Sequence, residues 1–363
     1  MRRITVNFLN FALDYFYGLK DYKNIDSFGE DVITGELRAN LLSADAATHN
    51  QAYIDLFQKT LNEMHTSLIK PSFFAGADAN FDLSGDNMGT AMSDYYSLYY
   101  ELSGDMSNSL GIPIESSDGS TILSVPLVRF EDNTAFVILN SFTVGTNDQI
   151  YNEDGTVSDD ARQYDTYYFM QYVMQRIEQY AQENDIIIDN VVLDFTLNGG
   201  GSLAAMINTL GFLTNDPVQY VTGNLLSGQT SIEYYNIDTD DDSDYADADA
   251  YDMYDWFVLT SPLTFSAANL FAAIVQDMDI ATVIGEQSGG GTCSVFTLVL
   301  PDGTTTNISG SSAVFQRLNY EQEVAVGGAL IESGITPDIV LDSQYFYDNQ
   351  TIINAISDWK QQG

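Results

Sequence analysis

The stretch Trp256-Phe-Val-Leu-Thr-Ser-Pro-Leu-Thr-Phe-Ser-Ala-Ala-Asn-Leu-Phe-Ala-Ala-Ile-Val-Gln-Asp-Met278 predicts a short apolar strand, a tight turn and a helix. The predicted helix begins at Ser266. A hydroxyl at that point lies beside unpaired backbone N–H groups and the positive end of the helix dipole, which favours a nucleophile or an oxyanion. A simple N-cap explains Ser266 equally well. This stretch alone leaves both interpretations open.

At two further places an apolar predicted strand is followed by a turn of small residues. Ile186–Phe195 is a nearly continuous apolar run, typical of a strand buried on both faces. It ends in Asn198-Gly-Gly-Gly-Ser202, which leads into a predicted helix over 203–213. A predicted strand over 281–284 is followed by Gly289-Gly-Gly291. Strands that alternate with helices predict an α/β fold with a layered, mostly parallel sheet.

The rest of the chain divides into three regions. Residues 1–71 are predicted to be helical, 72–125 a linker with a helical insert, and 126–363 an α/β core with a polar excursion over 222–252. The core is further predicted to contain paired strands near 128–130 and 134–139, a helix over 160–183, a hairpin around Asp302-Gly303, a strand over 339–341 and a closing helix. The helical region is predicted to hold helices over 4–27 and 48–68.

The charge balance excludes several classes of partner. The chain has 363 residues, with 52 acidic against 12 basic side chains and a net charge of −40. Such a surface repels nucleic acid and anionic lipid, and it disfavours phosphorylated cofactors. Cys293 is the single cysteine, so no internal disulfide forms. No run of 18 apolar residues predicts a membrane-spanning segment.

The beginning of the chain bears on its location. Met1–Asp14 has a basic tip, but Asn7, Asn10 and Asp14 interrupt what would be the core of a signal peptide. Acidity and scarce lysine favour an extracellular or cell-surface bacterial protein whose leader is absent from this sequence. A cytoplasmic location is the alternative.

A serine nucleophile needs a base, and the sequence offers few. The interval between Lys70 and Lys360 contains no lysine, so a Ser–Lys pair would need Lys59, Lys70 or Lys360. His49 and His65 are the two histidines. His65 lies on the apolar stripe of the predicted second helix, whereas His49 falls in its polar lead-in. His65 is therefore the better candidate, and a buried histidine with a purely structural role is the alternative.

The glycine-rich turns can supply backbone donors for an oxyanion, because glycine allows close approach and positive φ. Glycine loops after strands also bind phosphates. However, neither loop matches a dinucleotide or P-loop pattern, and no lysine is nearby.

Four segments together resemble the tail-specific, or C-terminal-processing, serine protease family. They are Val191–Gly201, Thr260–Phe271 and Val283–Gly291, with Glu332-Ser-Gly-Ile-Thr-Pro-Asp338 similar to the closing motif. Met64-His-Thr-Ser67 resembles the histidine motif of the lysine-free branch, which includes tricorn-type and chlamydial secreted proteases.

The resemblance implies a crotonase-like fold and a role for each matching residue. Ser266 matches the nucleophile, His65 the base and Glu332 the acid that orients it. Ala267 and one glycine of Gly199, Gly200 and Gly201 match the oxyanion hole. The family's usual acidic residue before the histidine appears only as Glu63, and its arginine after Asp194 is replaced by Thr196. No PDZ module is evident between His65 and the core.

The acidic excursion has the spacing of a calcium-binding loop. Asp238, Asp240, Asp242, Asp244 and Asp249 occupy positions 1, 3, 5, 7 and 12, but Ser243 replaces the glycine expected at position 6. A structural calcium ion is one interpretation and a solvated acidic loop the other. Catalysis by Ser266 and His65 requires no cofactor.

The leading prediction is a serine endopeptidase that acts on protein or peptide substrates through an acyl-enzyme. The first alternative is a catalytically degraded protein on the same fold that binds peptides or apolar ligands. An acyl-CoA enzyme of the crotonase type is the second, and the scarcity of basic residues argues against it. The sequence contains no pattern that specifies an oligomeric state.

Overall fold

The computed structural model of the protein describes residues 1–76, 78–110, 115–116, 121–122, 127–245, 247–317 and 328–362. Ten α-helices are present in this part of the chain: α1 Arg2–Phe16, α2 Gly35–Leu41, α3 Ala46–Ile54, α4 Thr90–Ser109, α5 Asn147–Ile150, α6 Ala161–Tyr164, α7 Thr166–Asn184, α8 Leu203–Gly211, α9 Ala267–Asp277 and α10 Asn349–Lys360. The strands are β1 Ser67–Lys70, β2 Glu115–Ser116, β3 Thr121–Ile122, β4 Val128–Glu131, β5 Thr134–Ile138, β6 Asn190–Asp194, β7 Val218–Asn224, β8 Gln229–Tyr235, β9 Asp255–Thr260, β10 Thr282–Gly285, β11 Cys293–Val299, β12 Thr305–Arg317, β13 Gly328–Leu330 and β14 Ile339–Val340.

The chain forms two compact units. The amino-terminal unit combines Met1–Ser97 with Thr222–Ser231 and Cys293–Val314. The core unit combines Leu98–Val221, Ile232–Thr292 and Phe315–Gly363. The division of the sequence at residues 71 and 125 stays a prediction.

The core unit is built on a six-stranded sheet with the order β14-β10-β9-β6-β5-β4. All neighbouring strands run parallel except β4, which pairs antiparallel with β5. The carboxyl ends of β6, β9 and β10 therefore meet at one edge of the sheet. The predicted layered α/β core is confirmed.

Apolar sequence explains why the centre of this sheet is covered on both sides. Every residue of β5 and of β6 is buried. The helix α9 is also buried along Ala267–Val275, and it contacts α8, which in turn contacts α7. A helix that is apolar around most of its circumference needs such complete burial.

Three phenylalanines form a rigid support beneath the loops at the carboxyl edge. Phe195 follows β6, Phe142 follows β5 and Phe271 belongs to α9, and all three are fully buried. The ring centroids lie 5.5 Å apart for Phe142 and Phe195 and 5.0 Å apart for Phe195 and Phe271. Edge-to-face aromatic packing of this kind orients the segments that carry the rings.

The amino-terminal unit confirms the predicted hairpin around Asp302-Gly303. The strands β11 and β12 pair antiparallel, and β1 pairs antiparallel with the other edge of β12. Gly303 has φ +85°, which suits glycine in a tight turn.

The predicted helix over 48–68 was wrong after Leu61. The helix α3 ends at Ile54, a π-helical turn continues over Asp55–Leu61, and Asn62 ends it in the left-handed conformation with φ 41°. His65 consequently lies in a turn, and Leu68 belongs to β1. Apolar residues at helical spacing continued beyond the point where Asn62 stops the helix.

The predicted helix over 4–27 was too long. The helix α1 ends at Phe16, and Tyr17 is extended. The next residue, Gly18, donates its N–H to the Ser309 carbonyl at 2.9 Å, so the backbone here joins the hairpin instead of the helix. The polar excursion over 222–252 also contains regular structure, namely the whole of β8 and the end of β7. Among the described helices, none has the length and apolarity needed to cross a membrane.

Candidate active site

Ser266 occupies a strained turn between β9 and α9. Its backbone has φ 55° and ψ −123°, a conformation that residues other than glycine rarely adopt. Such strain persists only where the surroundings determine the backbone completely, and it concentrates at functional sites. A serine on a sharp turn from strand to helix is also the arrangement of a nucleophile elbow.

Hydrogen bonds to two neighbouring loops hold this turn. Ser261 Oγ donates to the Thr196 carbonyl at 2.6 Å, and Thr264 Oγ1 donates to the Phe195 carbonyl at 2.8 Å. The N–H of Phe265 donates to Asn198 O at 3.1 Å, and that of Ser266 donates to Gly290 O at 2.8 Å. The loops that follow β6 and β10 therefore fix the loop that follows β9.

The N-cap interpretation of Ser266 fails on geometry. Ser266 stands at the N-cap position of α9, yet its side chain makes no capping hydrogen bond to the helix. By contrast, Ser202 at the start of α8 accepts a hydrogen bond from the Ala205 N–H, as a capping serine does. The hydroxyl of Ser266 therefore does not cap α9.

Gly200 lies against Ser266. Its φ is +103°, and a Cβ built on it would lie 2.8 Å from Ser266 Cβ and 2.9 Å from Ala267 N. A side chain at this position would collide with the turn at Ser266. Glycine is therefore required for the close approach of the two loops.

The predicted oxyanion hole uses the backbone N–H groups of Ala267 and of one glycine among Gly199, Gly200 and Gly201. Ala267 is the first residue of α9, and the first N–H groups of a helix have no intrahelical acceptor. The Gly200 N–H donates to Asn198 Oδ1 at 2.8 Å, so this glycine shapes the site through its backbone and not through a free donor. Gly199 and Gly201 are left as candidates for the second donor.

Glu332 is anchored to the glycine loop after β10. Its Oε2 accepts a hydrogen bond from the Thr292 N–H at 2.9 Å, and its carbonyl accepts one from the Gly291 N–H at 3.3 Å. A Cβ on Gly290 would overlap the same carbonyl. Within the core unit, Ser266 and Glu332 are thus linked through one loop.

His65 belongs to the amino-terminal unit and lies in the turn between Asn62 and β1. Glu63 Oε2 builds this turn by accepting hydrogen bonds from the His65 N–H at 2.7 Å and the Thr66 N–H at 3.2 Å. Glu63 Oε1 accepts a further bond from Ser309 Oγ at 2.9 Å. Burial lowers the pKa of His65, although the nearby Glu63 charge opposes this. The imidazole is therefore held toward its neutral, basic form.

His49 has a structural role. It is completely buried, its Nδ1 lies 2.8 Å from the Leu41 carbonyl and its Nε2 lies 3.3 Å from Asp302 Oδ2. Its prediction as part of a polar lead-in was wrong, because the partner that buries it lies 253 positions away.

The acidic excursion brings some of its carboxylates together. Oxygen atoms of Asp238, Asp240 and Asp242 lie within 4.8 Å of one another. Asp244 is not part of this cluster among the described residues, and Asp249 accepts hydrogen bonds from the Thr239 N–H and Oγ1. The calcium ion stays a prediction.

Sequence reasoning missed two residues that shape the site. Asn198 Nδ2 donates to the Leu139 carbonyl at 2.8 Å while its Oδ1 accepts from Gly200, so its amide ties the glycine turn to β5. Asn269 Nδ2 donates to the Ile331 carbonyl at 3.1 Å, next to Glu332. The available sequence signal for Asn198 was its place directly before three glycines in the turn after β6.

Comparison with known proteins places this site in a class. Residues 165–341, which include Ser266, the glycine turns and Glu332, match the sequence profile of peptidase family S41. Three solved structures share the fold over nearly the whole chain. A candidate peptidase from Parabacteroides merdae is 19% identical, with a TM-score of 0.59 over 94% of this chain and 89% of its own.

The other two similar structures are more distant in sequence. Mature CPAF complexed with lactacystin is 12% identical, with a TM-score of 0.55 over 98% of this chain and 97% of its own. A lipoprotein from Streptococcus agalactiae is 14% identical, with a TM-score of 0.50 over 98% of this chain and 96% of its own.

The fold and the loops around Ser266 thus define an α/β hydrolytic enzyme of the peptidase class. Through residues 165–341, the chain is similar to peptidase family S41. The predicted resemblance to tail-specific proteases is confirmed, and peptides or proteins are the substrate class of such an enzyme.

Proposed function

We propose that the protein is a serine endopeptidase in which Ser266 is the nucleophile and His65 the general base. The observation that carries the proposal is the strained turn at Ser266, whose side chain leaves its helix uncapped. Backbone strain is retained mainly at residues with a function. A nucleophile that projects from a sharp strand-to-helix turn is such a function.

The proposed reaction proceeds in two halves. Ser266 Oγ attacks the carbonyl carbon of the scissile peptide while His65 removes the hydroxyl proton. The negatively charged oxygen is stabilised by the Ala267 N–H and by Gly199 or Gly201. The C–N bond breaks as His65 returns the proton to the leaving amine. Water, deprotonated by His65, then hydrolyses the acyl ester and regenerates the serine.

The protonation state of His65 supports its role as the base. A general base must be neutral at the working pH, and burial lowers the pKa of His65 below its ordinary value. The scarcity of alternatives points the same way, since His49 is committed to Asp302 and no lysine lies between Lys70 and Lys360.

Glu332 is proposed as a positioning residue. Its carboxylate is held by the Thr292 N–H, and the loop that bears Thr292 also contacts the backbone of Ser266. Glu63 is the second acidic candidate, because it forms the turn that carries His65.

The decisive experiment is labelling with a fluorophosphonate probe. We expect the wild-type protein to be labelled and to cleave casein, whereas Ser266→Ala and His65→Gln abolish both. Ser202→Ala is the matched control, because Ser202 also begins a helix but caps it. A folded wild-type protein that neither reacts with the probe nor cleaves casein would contradict the proposal and favour a binding protein on this fold.

A further inference from the structure

A cavity of about 440 Å³ in the core unit lies beside the glycine turn next to Ser266. The first turn of α8 contributes Ala204 and Ala205 to its wall, directly after Gly199–Ser202. Val144 contributes as well. The cavity therefore adjoins the helix that directly follows the glycine turn.

Two backbone hydrogen bonds connect this wall to the nucleophile. Phe142 donates its N–H to the Gly200 carbonyl at 2.9 Å and accepts one from the Ser202 N–H at 2.8 Å. Val144 follows Phe142 by two residues, and Gly200 approaches Ser266 closely. The same two hydrogen bonds of Phe142 thus position both Val144 in the cavity wall and Gly200 beside Ser266.

The lining of the cavity is aromatic and acidic. None of its described lining residues is basic. Five tyrosines and three aspartates contribute, namely Tyr151, Tyr167, Tyr168, Tyr235, Tyr245, Asp165, Asp238 and Asp241. Aromatic faces attract cations, and nearby carboxylates strengthen that attraction. An anionic group would be repelled by the same surface.

The three carboxylates differ in how they are used. Asp165 accepts hydrogen bonds from the Gly145 N–H at 3.0 Å and the Tyr167 N–H at 2.9 Å. Asp238 accepts bonds from the Asp241 N–H at 2.7 Å and the Ser243 N–H at 2.8 Å. Asp241 differs, since within the described part of the chain no hydrogen bond to its carboxylate is found.

The electrostatic field of these aspartates reaches the rings. Burial raises the pKa of Tyr167, and the charges of Asp241 and Asp238 raise it further. For Tyr168, burial is again the largest cause, with contributions from its hydrogen bond to Tyr151 and from Asp241 and Asp165. The phenols stay protonated, and a positive charge in the cavity would relieve the excess of negative charge.

We infer that this cavity is a specificity subsite for a basic side chain, lysine or arginine, of the peptide substrate. Tyr167 and Tyr168 contact the aliphatic stem and the cationic head through their rings, and Asp241 pairs with the charge. The inference rests on the proposed peptidase function for its role in cleavage. Binding of a cation by the cavity stands independently of that function.

The kinetic test uses internally quenched peptides that differ at a single position, with arginine, lysine, norleucine or glutamate there, scanned across the cleavage site. We expect the wild type to prefer arginine or lysine at one position. Asp241→Asn lowers the arginine-to-norleucine ratio of kcat/KM about fivefold, the upper range for a partly exposed ion pair. Asp247→Asn is the matched control in the same excursion, because Asp247 neither lines the cavity nor belongs to the cluster of Asp238, Asp240 and Asp242.

A binding test separates this inference from the proposed function. N-acetyl-arginine amide and N-acetyl-norleucine amide are titrated into the Ser266→Ala protein by calorimetry. Preferential binding of the arginine compound, weakened about fivefold by Asp241→Asn but not by Asp247→Asn, supports the subsite even if no peptide is cleaved. Equal binding of both compounds, or an active enzyme with no preference for basic residues at any position, overturns it.

Discussion

The backbone N–H of Ser266 donates a hydrogen bond of 2.8 Å to the carbonyl oxygen of Gly290. Gly290 has φ +82°, and a Cβ on it would overlap the Glu332 carbonyl. One residue of the loop after β10 therefore fixes the turn at Ser266 and packs against the segment that carries Glu332. Movement of this loop would alter both at once.

Replacing Ser266 should reveal the strain stored in its turn. At φ 55° glycine is unstrained, whereas alanine retains the penalty of a left-handed backbone. We expect Ser266→Gly to be more stable than Ser266→Ala by about 1 kcal/mol, with both variants inactive. Urea denaturation of the two variants measures the difference. Equal stabilities would mean that the turn carries no strain.

The pH dependence of kcat/KM should report the environment of His65. Because burial lowers the pKa of His65, the neutral base persists below the ordinary value of 6.5. Activity should therefore decline only as pH falls through a pKa below 6.5. Removing the opposing charge with Glu63→Gln should move this acidic limb to still lower pH. An acidic limb above 6.5 would contradict the assignment.

Glu332 can be tested by an isosteric substitution. In Glu332→Gln the amide oxygen can still accept the hydrogen bond from the Thr292 N–H, so the melting temperature should change little. If the carboxylate positions the base, kcat should fall at least about tenfold with KM nearly constant. Unchanged kcat would remove Glu332 from the mechanism and leave Glu63 as the acidic partner.

Gly200 should tolerate no side chain. Gly200→Ala introduces a Cβ 2.8 Å from Ser266 Cβ, and we expect kcat/KM to fall by roughly a hundredfold because a small displacement of the nucleophile costs about that much. Gly228→Ala is the matched control, since Gly228 also has positive φ but no atom lies within 4 Å of the added Cβ. Both variants share the backbone penalty, so a difference in activity reports the collision. Similar activity would show that the two loops separate easily.

The buried pair of His49 and Asp302 should contribute to stability in a pH-dependent way. Burial acts to raise the pKa of Asp302, but hydrogen bonds from His49 and the Thr304 N–H outweigh it, and the pKa is lowered from 3.8. The stabilisation is therefore present above 3.8 and is lost as pH falls through the folded-state pKa.

Asp302→Asn should lower the free energy of unfolding by about 1–3 kcal/mol at neutral pH, the usual cost of disrupting a buried hydrogen-bonded pair. The gap between the variant and the wild type should narrow in acid. Urea titrations at several pH values measure it. A gap independent of pH would show that the charge of Asp302 contributes nothing.

Much of the core could be read from the sequence, because buried parallel strands are marked by apolar runs. The runs that became β5 and β9 were predicted correctly, and so was the hairpin with Asp302-Gly303 at its turn. The strand predicted over Ile186–Phe195 was too long, because β6 begins at Asn190 and Ile187 is exposed. The glycine turns were also informative, since close approach of backbones demands glycine.

The amino-terminal unit was harder to predict, for a physical reason. Helical spacing of apolar residues extends to Leu68, but the helix stops at Asn62, and the Glu63 side chain then builds a turn from local hydrogen bonds. His49 is buried by a partner that no local pattern reveals. The aromatic and acidic cavity likewise combines segments from Val144 to Tyr245, which only folding brings together.

The hydrogen bonds that hold the turn at Ser266 use its backbone and the side chains of Ser261 and Thr264. These bonds do not use the Ser266 hydroxyl. Under the proposed mechanism, one substitution at Ser266 would therefore remove the peptidase activity while each of these bonds could still form. Catalytic competence and the hydrogen bonds of the turn rest on different atoms.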